Sequence, residues 1–139
     1  MIRLIRAMAD IETGTVEIAE PELQTRTLPS LGDLAGDWLC AWCLNRVANE
    51  KDRFTYDGQS EFAFKNPQGI HFHIITFAQT IGCREAGAPT LEFTWFPEHA
   101  WSFCLCNQCR MHLGWYYAGP NTFAGLIRDR IVRASLVMN

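Results

Sequence analysis

Between Phe62 and Ala118 the chain alternates short apolar runs with turn residues, and these runs predict strands. Phe62 to Pro67 reads as a strand entering a turn at Asn66-Pro67-Gln68-Gly69, because Asn-Pro followed by Gly is strong turn chemistry. Ile70 to Thr80 is β-branched and aromatic, with alternation in its first half, as expected of a central strand. Gly82 to Pro89 holds Gly82, Gly87 and Pro89 and reads as a loop. Leu91 to Trp95 sets apolar Leu91, Phe93 and Trp95 against polar Glu92 and Thr94, the pattern of a further strand. Trp101 to Cys106 and Leu113 to Ala118 are two more. Phe123 to Leu136 has helix-compatible content, yet a final strand followed by a short turn or tail is the better reading. No repeat or low-complexity tract is evident.

The first 37 residues differ. They are rich in Thr, Glu, Pro and Gly and show no clear period. They read as an appendage, disordered or loosely docked, with a short helix possible at Ile2 to Ala9. A single domain over residues 38–139 is the expected organisation, since 139 residues can bury one real core.

Composition narrows the function classes. A net charge of −3 argues against a general nucleic-acid binder. No apolar run approaches the roughly 18–20 residues needed to span a bilayer, and the start is too broken by charge to be a secretory signal. The expected location is the cytoplasm. Six cysteines in such a chain point to metal before disulfides.

Four of them form two matched knuckles, Cys40-Ala-Trp-Cys43 and Cys106-Asn-Gln-Cys109. Each turn sets two sulfurs on one side of a tight bend. Together they supply the four soft ligands of a closed tetrahedral zinc site, a structural role with no open position for chemistry. The long interval between knuckles requires a β-domain threaded between them, with the metal tying its ends. Cys83 and Cys104 are left over, and Cys104 reads as a small buried apolar residue. His71, His73, His99 and His112 show no competing ligand spacing and read as satisfied structural or surface histidines.

Three of the five tryptophans, Trp95, Trp101 and Trp115, cluster around the second knuckle. They could pack a β-core, or wall an aromatic pocket for a flat or cationic ligand. The residue pattern leaves both readings open.

The series Trp95-Phe-Pro-x-x-x-Trp101, Cys106-x-x-Cys109, His112-x-Gly114-Trp115-x-Tyr117, preceded by Cys40-x-x-Cys43 and Asn66-Pro67-x-Gly69, resembles the thalidomide-binding (CULT) domain of the cereblon family. It covers about residues 38 to 130. The resemblance implies an all-β, β-tent fold: two antiparallel sheets meeting at an angle, pinned by a structural zinc on the four cysteines. It implies that Trp95, Trp101 and Trp115 form a cage, covered by the loop of Asn66 and Pro67. Glu92, Phe93 and Thr94 match the strand leading into the first cage Trp, and Phe72 and Tyr117 match flanking pocket positions. The ligands implied are cyclic imides such as the glutarimide of thalidomide, uridine and related ring amides, or a cyclised imide at a protein terminus. The backbone of Phe93, with Trp95, is expected to read the imide edge. Eukaryotic members carry His where this chain has Phe93, so one side-chain hydrogen bond is lost. The length resembles that of single-domain bacterial homologues, without the Lon-like domain or the segment that docks a ubiquitin ligase adaptor.

Two other readings remain. The β-tent scaffold also resembles zinc-containing methionine sulfoxide reductases, which need an exposed nucleophilic Cys toward the C-terminal end; no Cys follows Cys109. A methylammonium reader would use the same cage for a cation. The leading expectation is a non-enzymatic binding module.

Overall fold

The structure is a computed structural model, described over residues 36–137. The expectations for the first 37 residues therefore lie outside the described residues, save for Gly36 and Asp37. Among the described residues nine strands form two antiparallel sheets, which bears out the all-β, two-sheet expectation. A small sheet has the order β2-β1-β9, from Arg46–Asn49, Asp37–Cys40 and Ile131–Arg133. A larger sheet runs β3-β4-β8-β7-β6-β5. Its strands are Glu61–Lys65, His71–Phe77, Thr122–Ile127, His112–Ala118, Ala100–Cys106 and Cys83–Thr90 respectively. One helical turn, α1 (Ala134–Val137), follows β9. Among the described residues no helix is long and apolar enough to cross a membrane.

The large sheet is covered on both faces. One face packs Ile75, Phe77, Cys104, Leu113 and Leu126 against Trp38, Val47, Ala48 and Ile131 of the small sheet. The other carries Ile74, Tyr117, Phe123 and Ile127 beneath Phe96 and a layer of partly buried aromatics. Successive strand residues point to opposite faces, so a doubly covered strand reads as a continuous apolar run. This explains β4, where alternation stops and Ile74 through Phe77 are all buried. Each fully buried Ile, Leu or Phe stabilises the fold by about 1.5–3 kcal/mol.

Trp38 anchors the small sheet. Its indole N–H donates to Glu50 Oε2 at 2.6 Å. The guanidinium carbons of Arg128 and Arg133 lie 4.9 and 5.1 Å from its ring.

Two sequence expectations are corrected. Gly82–Pro89, read as a loop, contributes most of β5. It is an edge strand, where a missing N–H is tolerated, and its pairing with β6 breaks between Ala86 and Thr90. Gly87, at φ +83°, and Pro89 sit inside that bulge. Conversely, Leu91 to Trp95 forms no strand but a turn, closed by Thr94 N–H donating to the Leu91 carbonyl at 3.2 Å. Its alternation has no buried face behind it, because Leu91 and Phe93 are 60% and 70% exposed. At the C-terminal end the strand reading is upheld in β8, followed by a 3-10 turn at Arg128–Arg130.

The centre of the large sheet depends on a glycine. A Cβ on Gly114 would collide with the backbone carbonyl of Gly125 and reach 2.9 Å from Leu126 Cα on the neighbouring strand. Backbone cannot swing aside as a side chain can. Gly114→Ala is expected to cost about 3 kcal/mol, read as a lowered urea midpoint; an unchanged midpoint would contradict this packing.

Candidate functional site: a cysteine tetrad behind an aromatic cavity

The two knuckles fold identically. The Cys40 carbonyl accepts from Leu44 N–H at 2.8 Å, and Cys40 N–H donates to the Asn45 carbonyl at 2.8 Å. The Cys106 carbonyl accepts from Arg110 N–H at 2.8 Å, and Cys106 N–H donates to the Met111 carbonyl at 2.9 Å. Leu44 and Arg110 take left-handed conformations, φ 63° and 69°, which turn the chain out of each knuckle. One turn links β1 to β2 and the other links β6 to β7.

Together they bring four buried sulfurs within 4.8 Å of one another. Cys40 and Cys109 are 3.6 Å apart, and Cys43 and Cys106 are 3.5 Å apart. A tetrahedral zinc with Zn–S near 2.3 Å needs sulfurs about 3.8 Å apart, so the tetrad fits. The electrostatics fit too. Burial pushes the Cys43 thiol up to about 12, while a hydrogen bond from Cys40 brings Cys106 down to about 4. Buried sulfurs resist sharing several negative charges unless a dication sits among them. Backbone N–H of Gln108 and Asn45 Nδ2 approach Cys106 Sγ at 3.4 and 3.7 Å, as donors to a ligating thiolate should. The zinc expectation on Cys40, Cys43, Cys106 and Cys109 holds.

Across the large sheet from the tetrad lies a cavity of about 430 Å³. Strand alternation builds it. On β6, Trp101 and Phe103 share a face, and their partners on β7 are Tyr117 and Trp115. On β4, Phe72 pairs with Phe64 of β3 and points the same way. Trp95 comes from the loop after β5. Edge-to-face contacts link the walls in series. Ring centroids are 5.4 Å apart for Trp101–Phe103, 5.3 Å for Phe103–His112, 5.2 Å for His112–Trp115 and 5.1 Å for Trp115–Trp95. The ring contacts thus lead from Trp101 through Phe103 and His112 to Trp115.

Most of the residues singled out from sequence line this cavity: Asn66, Pro67, Phe72, Phe93, Trp95, Trp101, Trp115 and Tyr117. Glu92 and Thr94 do not line it, and brace the loop instead. The Glu92 carbonyl accepts from Trp101 Nε1 at 2.7 Å, and Thr94 Oγ1 donates to the His99 carbonyl at 2.7 Å. Phe93 is left-handed, φ 57°, on a loop and not on a strand. Gln68, Phe103 and His112 line the cavity without having been singled out as ligand contacts. The Trp101/Phe103 alternation and the Asn66-to-Gly69 turn were the available signals.

No family model matches the chain. Among curated proteins it is similar to protein cereblon of Drosophila willistoni, 37% identical over 113 residues, covering 72% of this chain and 18% of that protein. Protein cereblon of Drosophila melanogaster is 31% identical over 113 residues, 70% of this chain and 19% of its own length. That of Gallus gallus is 30% identical over 76 residues, 50% of this chain and 17% of its own length. The chain carries a cereblon-type CULT domain. It spans less than a fifth of the length of these curated relatives.

In this cereblon-type domain His71 and His73 lie exposed on β4, with His73 Nε2 3.0 Å from Glu61 Oε1, while His99 and His112 are hydrogen-bonded within the fold. His99 is buried between the Pro97 carbonyl, 2.8 Å from Nδ1, and Asn121 N–H, 3.3 Å from Nε2. His112 Nε2 donates to the Gly114 carbonyl at 2.9 Å, so Nδ1 is the acceptor and takes Arg130 Nη1 at 3.3 Å. Burial, then the Arg130 charge, lowers the His112 pKa from its ordinary 6.5. The unfolded chain therefore binds the proton more readily. His112 contributes stability that is complete above about pH 6.5 and is lost as pH falls through the lower folded value. Thermal unfolding from pH 8 to 5.5 should show His112→Gln losing less stability on acidification than the natural chain. Parallel profiles would refute it.

Proposed function

We propose that this domain is a non-enzymatic binding module for neutral cyclic amides, cyclic imides of the glutarimide type foremost, with uridine and a cyclised imide at a protein terminus in the same class. One observation carries the reading. The N–H and carbonyl of Phe93 and the N–H of Trp95 make no hydrogen bond within the described residues, and both residues line an aromatic-walled cavity. An imide edge presents acceptor, donor and acceptor, the complement of such a backbone strip. Its methylene side gains from the indole faces. Leaving the imide N–H unpaired in a dry pocket would cost about 1–3 kcal/mol, so the backbone strip sets selectivity as well as affinity.

Neutrality follows from the lining. Among the described residues no carboxylate lines the cavity, and burial, then the Arg130 charge, disfavours the cationic form of its histidine. A methylammonium ligand would have ring faces alone. A sulfoxide reductase would need a thiol at the cavity, but Cys104 is fully buried on the opposite face and Cys83 packs against that same core. Trp95, Trp101 and Trp115 are the proposed cage walls, Asn66, Pro67, Phe72 and Tyr117 its cover and flanks, and Glu92 and Thr94 its braces.

The test is a titration of bare glutarimide followed by intrinsic tryptophan fluorescence on the zinc-loaded chain. Saturable quenching, with N-methylglutarimide inert, is the expected result. A folded, zinc-loaded sample that responds to neither, or to both alike, would reject the imide reading.

A further inference from the structure

Trp101 and Trp115 stand on β6 and β7, where ladder hydrogen bonds fix their backbone. Trp95 has no such support, since it lies in the irregular segment between β5 and β6. Its orientation must come from its neighbours, and these are mostly contributed by the β3–β4 hairpin. Phe64 of β3 lies flat against Trp95, centroids 4.9 Å apart and planes 15° apart. The next carbonyl, of Lys65, accepts from Trp95 Nε1 at 3.3 Å. Phe72 of β4, paired with Phe64, meets Trp95 obliquely at 5.9 Å. Of these groups Phe64 alone is not part of the hydrogen bonding or the lining: it does not border the cavity. It is itself held by Phe62, stacked at 5.6 Å, and by Phe96 edge-on at 5.4 Å.

We infer that Phe64 is a positioning residue for the cage: it acts as a backing plate that sets the plane of Trp95, the one cage wall without strand support. The inference rests on the binding reading for its consequence on affinity, but its structural part does not. A stacked pair of this kind adds about 0.5–1.5 kcal/mol beyond burial, so loss of the ring should weaken glutarimide roughly three- to tenfold. Phe64 is half-buried on an edge strand, so an aliphatic residue of similar volume leaves the core intact.

The experiment uses Phe64→Leu and Phe64→Tyr on the full chain, with the indole N–H resonances labelled by 15N-tryptophan and zinc content measured alongside. In Phe64→Leu the Trp95 indole resonance is expected to move, with those of Trp101 and Trp115 in place and zinc retained. Phe64→Tyr, which keeps the stack, should leave the resonance near its natural position and restore affinity. An unmoved Trp95 signal in Phe64→Leu would overturn the inference. So would equal displacement in both variants, or a loss of affinity in Phe64→Leu that Phe64→Tyr does not restore. Should the natural chain fail to bind glutarimide, the binding reading falls, and the Trp95 resonance alone decides for or against Phe64.

Discussion

Cys106→Ser leaves the chain without cooperative folding. That is the expected result, and its size follows from the site. Structural zinc in small domains contributes about 10–16 kcal/mol of apparent binding free energy, which is folding free energy when the site does not exist in the unfolded chain. Whole domains are stable by about 5–15 kcal/mol. A ligand that joins two knuckles 63 residues apart along the chain cannot be lost within that margin. Cys106 also receives the Gln108 and Asn45 donors, as a ligating thiolate should, whereas serine's harder, protonated oxygen is a poor zinc ligand. Zinc content should fall, and the thermal transition seen by circular dichroism should broaden and vanish. Chelation of the natural chain should do the same. A metal-free chain that keeps a sharp transition at the original temperature would show that the tetrad is packing, not a metal site.

The second large effect is expected at Trp115. Its indole touches Trp95, Phe72 and His112, with centroids 5.1, 5.3 and 5.2 Å away, so it is the hub of the cavity wall. Truncation of such an aromatic anchor costs about 2–4 kcal/mol of binding, roughly 30- to 1000-fold. Trp115→Ala should therefore abolish measurable glutarimide binding by calorimetry. Zinc content should persist, because the tetrad lies across the sheet. Retained affinity in the variant would remove the cage from the binding reading. Joint loss of zinc and binding would mean that the indole is a structural group.

Much of this was legible in the sequence because the knuckles and strands β4, β6 and β7 obey simple local rules. Cys-x-x-Cys repeated at one spacing has few other physical uses, and β-branched aromatic runs have few other conformations. The failures arose where a residue's context is tertiary. Gly87 and Pro89 break an isolated strand, yet an edge with a bulge tolerates both. Leu91 and Phe93 alternate like a strand, yet no partner strand reaches them and both stay exposed. Phe103 and His112 join the cavity through pairings set across strands, and Gln68 through the turn between β3 and β4. No local pattern reveals that Phe103 and His112 link Trp101 to Trp115.

The placement of metal and cavity on opposite faces of one sheet has a consequence for variation. Along β6 the two faces carry different tasks: Trp101 and Phe103 go to the cavity side, the core residue Cys104 and the ligand Cys106 to the other. A change of wall residue therefore alters the shape offered to a ligand without touching the four sulfurs that tie the two knuckles together. Such a domain can explore new ligand preferences through single substitutions, each tested on a scaffold that survives the trial.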